Sequence, residues 1–206
     1  MLPVLYYVAD PMCSWCWGFH PVLMKVVDAL PSDIKLRYVM GGLAKDSDDP
    51  MPAETQEYVQ INWRQVMQET GAEFNWEFWA NCQPRRSTYP ACRAVIAAGS
   101  QREASIPEMF HRIQRAYYQE ARNPSDSETL IALAEEIGLD KSRFERDLRS
   151  PEIEDQLQED FSLRRSLGVR EFPSLVIGNE SNRSCLVRGY ADSETTLSRL
   201  EEYLNK

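Results

Sequence analysis

Basic charge is in short supply: 23 Lys and Arg stand against 32 Asp and Glu, leaving a formal net charge of −9. A chain whose main partner is nucleic acid needs surplus cations to neutralise phosphate, so the composition argues against that class. No window approaches the roughly 20 consecutive apolar residues that span a bilayer, so no membrane partner is expected. The apolar opening, Met1 to Val8, has no Lys or Arg ahead of it and stops at Asp10. It lacks the basic region and small-residue cleavage site of a secretory signal, and the expected setting is cytoplasmic. Cysteines number only five. In a reducing compartment that excludes a structural disulfide framework, and a close pair is instead catalytic or metal-binding. Internal repeats and low-complexity segments are also absent. What remains is an ordinary globular composition, 43% apolar and 10% aromatic, able to bury a substantial core in one large domain or two small ones.

Strand signals gather at the two ends of the chain. Leu2 to Val8 and Ile34 to Met40 are rich in Val, Ile, Leu and Tyr. Between them Phe19, Val22, Leu23, Val26, Val27 and Leu30 recur at helical steps. Strand, helix, strand at this length is a βαβ unit with parallel strands and a right-handed crossover. From Pro52 to about Ser150 only helical patterns persist. Ser105 and the Ser125-Asp126-Ser127-Glu128 run offer capping hydroxyls, and Gly71, Gly99 and Gly138 sit where C-terminal caps belong. Strand character returns at Pro173 to Ile177 and Cys185 to Val187, around the turn cluster Gly178-Asn179-Glu180-Ser181-Asn182, and a last helix runs from Ser193 to Leu204. The expected architecture is α/β: residues 1–48 and 151–206 form one sheet-bearing domain, interrupted by a helical insertion at 49–150.

Cys13-Ser14-Trp15-Cys16 falls after the first strand and opens the first helix. Cys-x-x-Cys occurs in zinc sites, chance pairs and redox centres alike, but here the first sulfur meets free backbone N–H groups and the positive end of a helix dipole. Both stabilise a thiolate, lowering a thiol pKa from about 8.5 into a range of roughly 3.5 to 7.5. Cys13 is then the nucleophile. Cys16, one helical turn inside, is the more buried resolving thiol that attacks the mixed disulfide on Cys13.

The segment Asp10-Pro11-Met12-Cys13-Ser14-Trp15-Cys16-Trp17-Gly18-Phe19 resembles the active-site segment of the DsbA-like branch of the thioredoxin fold, especially its cytosolic, FrnE-like members. Glu171-Phe172-Pro173-Ser174-Leu175-Val176 is similar to the same family's cis-proline loop. The resemblance covers the element order of the whole chain and implies a thioredoxin-like fold with an inserted helical domain. It also implies a protein disulfide oxidoreductase that uses a redox-active cysteine pair and needs no metal or organic cofactor. Its partners would be protein or peptide thiols and disulfides, with glutathione as a possible co-substrate. By the same resemblance Pro173 is cis and the Phe172 backbone is free to pair with an extended substrate beside Cys13, while Trp15 is exposed to grip an apolar one. Kappa-class glutathione transferases and hydroxychromene carboxylate isomerases resemble this architecture too, and use a serine at the position matching Cys13. A transferase needs no resolving thiol, so the Cys13–Cys16 pair argues against that alternative.

The intervening Ser14-Trp15 departs from the Pro-His of strongly oxidising periplasmic enzymes and from the Gly-Pro of reducing thioredoxins. Without a cationic histidine at position 15, the couple is expected to be less oxidising than about −120 mV. Ser14 and Asp10 are the candidate tuning groups, and Asp10 either relays protons to Cys16 or caps the turn after the strand. Cys82 and Cys92 could join the pair in a four-thiolate zinc site, but their loose spacing favours bystanders, as does the strand position of Cys185. His20 reads as surface or groove lining and His111 as solvent-facing. Trp17, Phe19, Trp63, Trp76, Trp79 and Tyr89 read as fillers of the interface between sheet and helical block. Arg85-Arg86 is either a solvated turn or a site for an anion such as glutathione.

Overall fold

The computed structural model describes residues 3–179 and 182–205. Leu2, the expected start of the first strand, and Glu180 and Ser181 of the expected turn lie outside them. The chain opens with β1 (Val4–Ala9), α1 (Ser14–Ala29) and β2 (Lys35–Met40), and β1 pairs with β2 in parallel. There follow α2 (Ala53–Thr70), α3 (Phe78–Asn81), α4 (Tyr89–Gln101), α5 (Ser105–Tyr118), α6 (Ser127–Glu136) and α7 (Lys141–Leu148). Helix α8 (Pro151–Ser166) leads back to the sheet, where β3 (Ser174–Gly178) and β4 (Arg183–Arg188) form an antiparallel pair, and α9 (Ser193–Leu204) ends the fold. The strand order is β2-β1-β3-β4. This is the mixed α/β arrangement of a thioredoxin-like fold with helices inserted between its two sheet-forming halves.

The unbroken apolar run of β1 follows from its central place. Leu5, Tyr7 and Ala9 face one layer, packed with Phe19 and Val22 of α1. Tyr6 and Val8 face the other, packed with Val39, Val176 and the Leu163 and Leu167 side chains around the end of α8. A strand covered on both faces has no polar side to alternate with. The core that starts on Leu5 and Tyr7 continues without a break into Trp63, Met109 and Leu133 of the inserted helices. Trp63, fully buried, has Phe74, Trp76, Phe78, Trp79, Tyr117 and Tyr118 around it, with ring centroids 5.0–5.9 Å away. No helix among the described residues is long and apolar enough to cross a membrane.

Two expected caps do not form. Ser105 is the first residue of α5 rather than its cap, and its hydroxyl accepts instead from Arg102 Nε at 2.7 Å. At α6 the cap position is Asp126, whose carboxylate is taken by Arg85. The Ser125 hydroxyl donates to the Ser87 carbonyl at 2.8 Å. In both places a nearby arginine outcompetes the backbone for the capping oxygen. Gly99 lies inside α4, not at its end, because a Cβ there would meet Ile106 of α5 at 2.6 Å. Gly71 does close α2 in the left-handed conformation, at φ 73°.

Candidate active site

The end of β1 and the start of α1 are joined by the tight turn Asp10-Pro11-Met12-Cys13, closed by the Cys13 N–H on the Asp10 carbonyl at 3.0 Å. Cys13 is the residue that caps α1, with extended backbone and no side chain bonding to the helix's first N–H groups. Its sulfur therefore stands at the end of a helix where negative charge is stabilised. Both Cys13 and Cys16 are free thiols, 7% and 0% exposed respectively. Burial pushes the Cys16 thiol well above its ordinary value, and its hydrogen bond with Cys13 adds to this. The Tyr7 hydroxyl, also hydrogen-bonded to Cys16, is held protonated by its own burial. One thiol is thus at the surface of the site and the other is kept protonated behind it.

The Phe172–Pro173 peptide is cis, and Pro173 immediately precedes β3. The Cys13 thiol donates to the Phe172 carbonyl at 3.8 Å, across 159 positions of chain. Cys13, Ser14, Trp15 and Phe172 share the wall of a groove of about 520 Å³. Pro173 stands behind Phe172 and is buried, outside the groove's lining. Trp15 packs against Tyr190, centroids 5.6 Å apart.

Asp10 lies beneath the groove and is completely buried. One carboxylate oxygen accepts from the Met12 N–H at 2.8 Å. The other accepts from the Leu43 N–H and the Thr88 hydroxyl, each at 2.7 Å, and from the Cys92 thiol at 3.6 Å. Burial raises the Asp10 pKa, and these four donors oppose the rise. The carboxylate thus closes the turn after the strand and, in the same stroke, binds it to the loop beyond β2 and to the start of α4. Sequence periodicity marks Cys92 as core but carries no sign that its sulfur bonds Asp10.

The remaining candidates separate. The Cys82 thiol donates to the Ala121 carbonyl at 3.0 Å, Cys92 sits on Asp10, and Cys185 is exposed in β4. The four-thiolate zinc arrangement is not brought together, and no three His, Cys, Asp or Glu among the described residues are grouped as metal ligands. His111 is not solvent-facing. It is half-buried, stacked on Trp17 and on His20, the two imidazole centroids 3.9 Å apart. Burial, then the neighbouring His111, brings the His20 pKa down to about 4. Arg85 is committed to Asp126 and the Ser125 carbonyl. Arg86, its neighbour, lines the groove.

Sequence reasoning missed several groove residues, among them Arg170, Tyr58 and Tyr190. The first precedes the Phe172 loop by two positions and could have been found from it. Tyr58 is 61% exposed on α2, and its only sequence signal is an aromatic off the apolar face of an amphipathic helix. Tyr190 reaches the groove from the turn after β4, which no local pattern announces.

A family model described as Thioredoxin matches residues 6–197. Among curated proteins, the ClpXP adapter protein SpxH of Bacillus subtilis is 26% identical over 180 residues, covering 85% of this chain and 58% of the relative. The chain thus spans less than two thirds of that relative's length. Among solved structures, a candidate protein disulfide isomerase from Nitrosomonas europaea superposes with a TM-score of 0.89 at 29% identity, covering 100% of this chain and 98% of the other. The cytosolic disulfide reductase DsbM from Pseudomonas aeruginosa superposes with a TM-score of 0.79 at 23% identity, covering 98% of both chains. DsbM has also been solved with glutathione.

Proposed function

This chain belongs to the thioredoxin family, and from that premise we propose that it is a cytoplasmic thiol-disulfide oxidoreductase working through Cys13 and Cys16. The observation that carries this reading is the division of labour within the pair. Cys13 caps a helix at the edge of a groove and faces the Phe172 carbonyl, while Cys16 is buried one turn behind it. As a thiolate, Cys13 attacks one sulfur of a substrate disulfide; that S–S bond breaks, a mixed disulfide forms, and the displaced sulfur leaves and takes up a proton. Cys16 then loses its proton and attacks the Cys13 sulfur. The second substrate thiol departs, and the two electrons it carries come from the pair, now a Cys13–Cys16 disulfide. Two equivalents of a small thiol such as glutathione return the electrons and become a disulfide themselves. No metal or organic cofactor enters the cycle.

The groove suits a short peptide thiol. Arg86 and Arg170 line it together with Glu69 and Glu171, which suit a peptide's amino group, and Trp15, Tyr58 and Tyr190 add aromatic rings. Guanidinium forks match carboxylates, so a tripeptide with two carboxylates fits, and the structure of DsbM with glutathione supports the same choice. Insulin reduction and dithiol oxidation by the wild type, Cys13→Ser and Cys16→Ser test the reading; activity that survives both substitutions overturns it.

The names of the curated relatives favour a second reading, a ClpXP adapter, in which the chain binds a protein without exchanging thiols. Exposed Tyr58 and Ile61 on α2, beside the groove, are the apolar surface such a role would use. Binding that persists in Cys13→Ser while exchange is lost would separate the two roles.

A further inference from the structure

The loop that carries Phe172 is held from a distance. Arg164, in the last turn of α8, donates from Nη1 to the Gly41 carbonyl at 2.6 Å. Its Cζ lies 5.6 Å from the Phe161 ring centroid and 5.8 Å from that of Phe172. Gly41 lies against the same ring, since a Cβ at position 41 would come within 2.4 Å of it. The same Phe172 presents its carbonyl to the Cys13 sulfur. Arg164 itself touches neither cysteine and does not line the groove.

From this chain of contacts we propose that Arg164 is a positioning residue for disulfide exchange, fixing the Phe172 ring against Gly41 so that the Phe172 backbone faces Cys13. This inference rests on the redox reading above. A planar guanidinium can bond a carbonyl along its edge while its face lies against aromatic rings; an ammonium has the charge but not the plane. Gly41 is then required for a stated reason: the ring needs the space a Cβ would fill. A backbone carbonyl that must pair with an extended substrate is useful only if it is held still, because small misplacements of reacting groups are costly.

The test compares two reactions of Cys13 in the full-length protein. One is exchange with a short peptide disulfide, which pairs with the Phe172 backbone; the other is alkylation by iodoacetamide, which needs no such pairing. Arg164→Met should slow peptide exchange by about tenfold or more, the scale of loss that misplacement produces, and leave alkylation unchanged. Arg164→Lys should fall between Arg164→Met and the wild type. Gly41→Ala, whose added Cβ would displace the ring, should reproduce the selective loss in a chain that keeps Arg164. Equal slowing of both reactions, or no slowing of either, overturns the proposal. A wild type with no Cys13-dependent exchange overturns the redox reading along with it, whereas wild-type rates in the variants overturn this inference alone.

Discussion

The Thr88 hydroxyl donates to the Asp10 carboxylate at 2.7 Å, joining the inserted helices to the cysteine-bearing turn across 78 positions of chain. Replacing Asp10 with Asn sets an amide N–H₂ among groups that are themselves donors. Losing charged acceptors for buried donors costs about 2–3 kcal/mol, and Asp10→Asn should lower the urea midpoint accordingly. Thr88→Val removes one donor and should cost about 1–2 kcal/mol. Because both changes act on one carboxylate, the double variant should be less destabilised than the two losses added together. Strict additivity in urea melts would contradict the coupling.

Asp160 provides a pH-dependent contribution of definite sign. Burial raises its pKa from 3.8 to about 6, against the Met40 N–H at 2.8 Å and Arg37 at 3.9 Å, which favour the charged form. A carboxyl whose folded pKa is raised binds more protons in the native state, so its contribution is fully present below about pH 4 and is lost as pH rises through about 6. That contribution is at most about 3 kcal/mol, because each tenfold change in proton affinity is worth about 1.4 kcal/mol. The difference in unfolding free energy between Asp160→Asn and the wild type, measured at steps from pH 4 to 7, should move in favour of the variant as pH rises. A constant difference would refute the assignment.

Trp63 anchors the insertion. With six aromatic side chains around it and no exposure, Trp63→Ala should destabilise by about 3–5 kcal/mol, seen in thermal or urea unfolding. Trp63→Phe keeps part of the ring contacts and should lose clearly less.

Arg86 and Arg170 are the cationic residues lining the groove, and the proposed glutathione site assigns them its carboxylates. Arg86→Ala and Arg170→Ala should each raise the KM for glutathione, by about tenfold if a bidentate carboxylate contact is lost, with little effect on a neutral dithiol. A matched rise for both substrates would show that the arginines only shape the groove.

Much of this architecture is legible in the sequence because it follows from local rules. Short runs rich in Val, Ile, Leu and Tyr locate β1 and β2, helical spacing locates α1 and α9, and the cysteine pair announces its own junction. The inserted helices are visible as helices, yet the caps expected at Ser105 and Ser125 do not form: Arg102 takes the Ser105 hydroxyl, and the Ser125 hydroxyl goes to the Ser87 carbonyl 38 positions away. What cannot be read is contact across sequence distance. The Asp10–Cys92 bond, the stacking of His111 between Trp17 and His20, and the reach of Arg164 to Gly41 each join segments that no periodicity relates. Of the groove's cations, Arg86 is marked by its pairing with Arg85 and Arg170 only by standing two positions before Phe172.

The most direct test of the proposed chemistry is a trap. Cys16→Ser, incubated with a peptide disulfide and analysed by mass spectrometry after proteolysis, should accumulate one peptide per chain, linked through Cys13. Cys13→Ser should accumulate none. A peptide adduct on Cys82, Cys92 or Cys185 in place of Cys13, or no adduct in Cys16→Ser, would contradict the assignment of Cys13 as the attacking thiol.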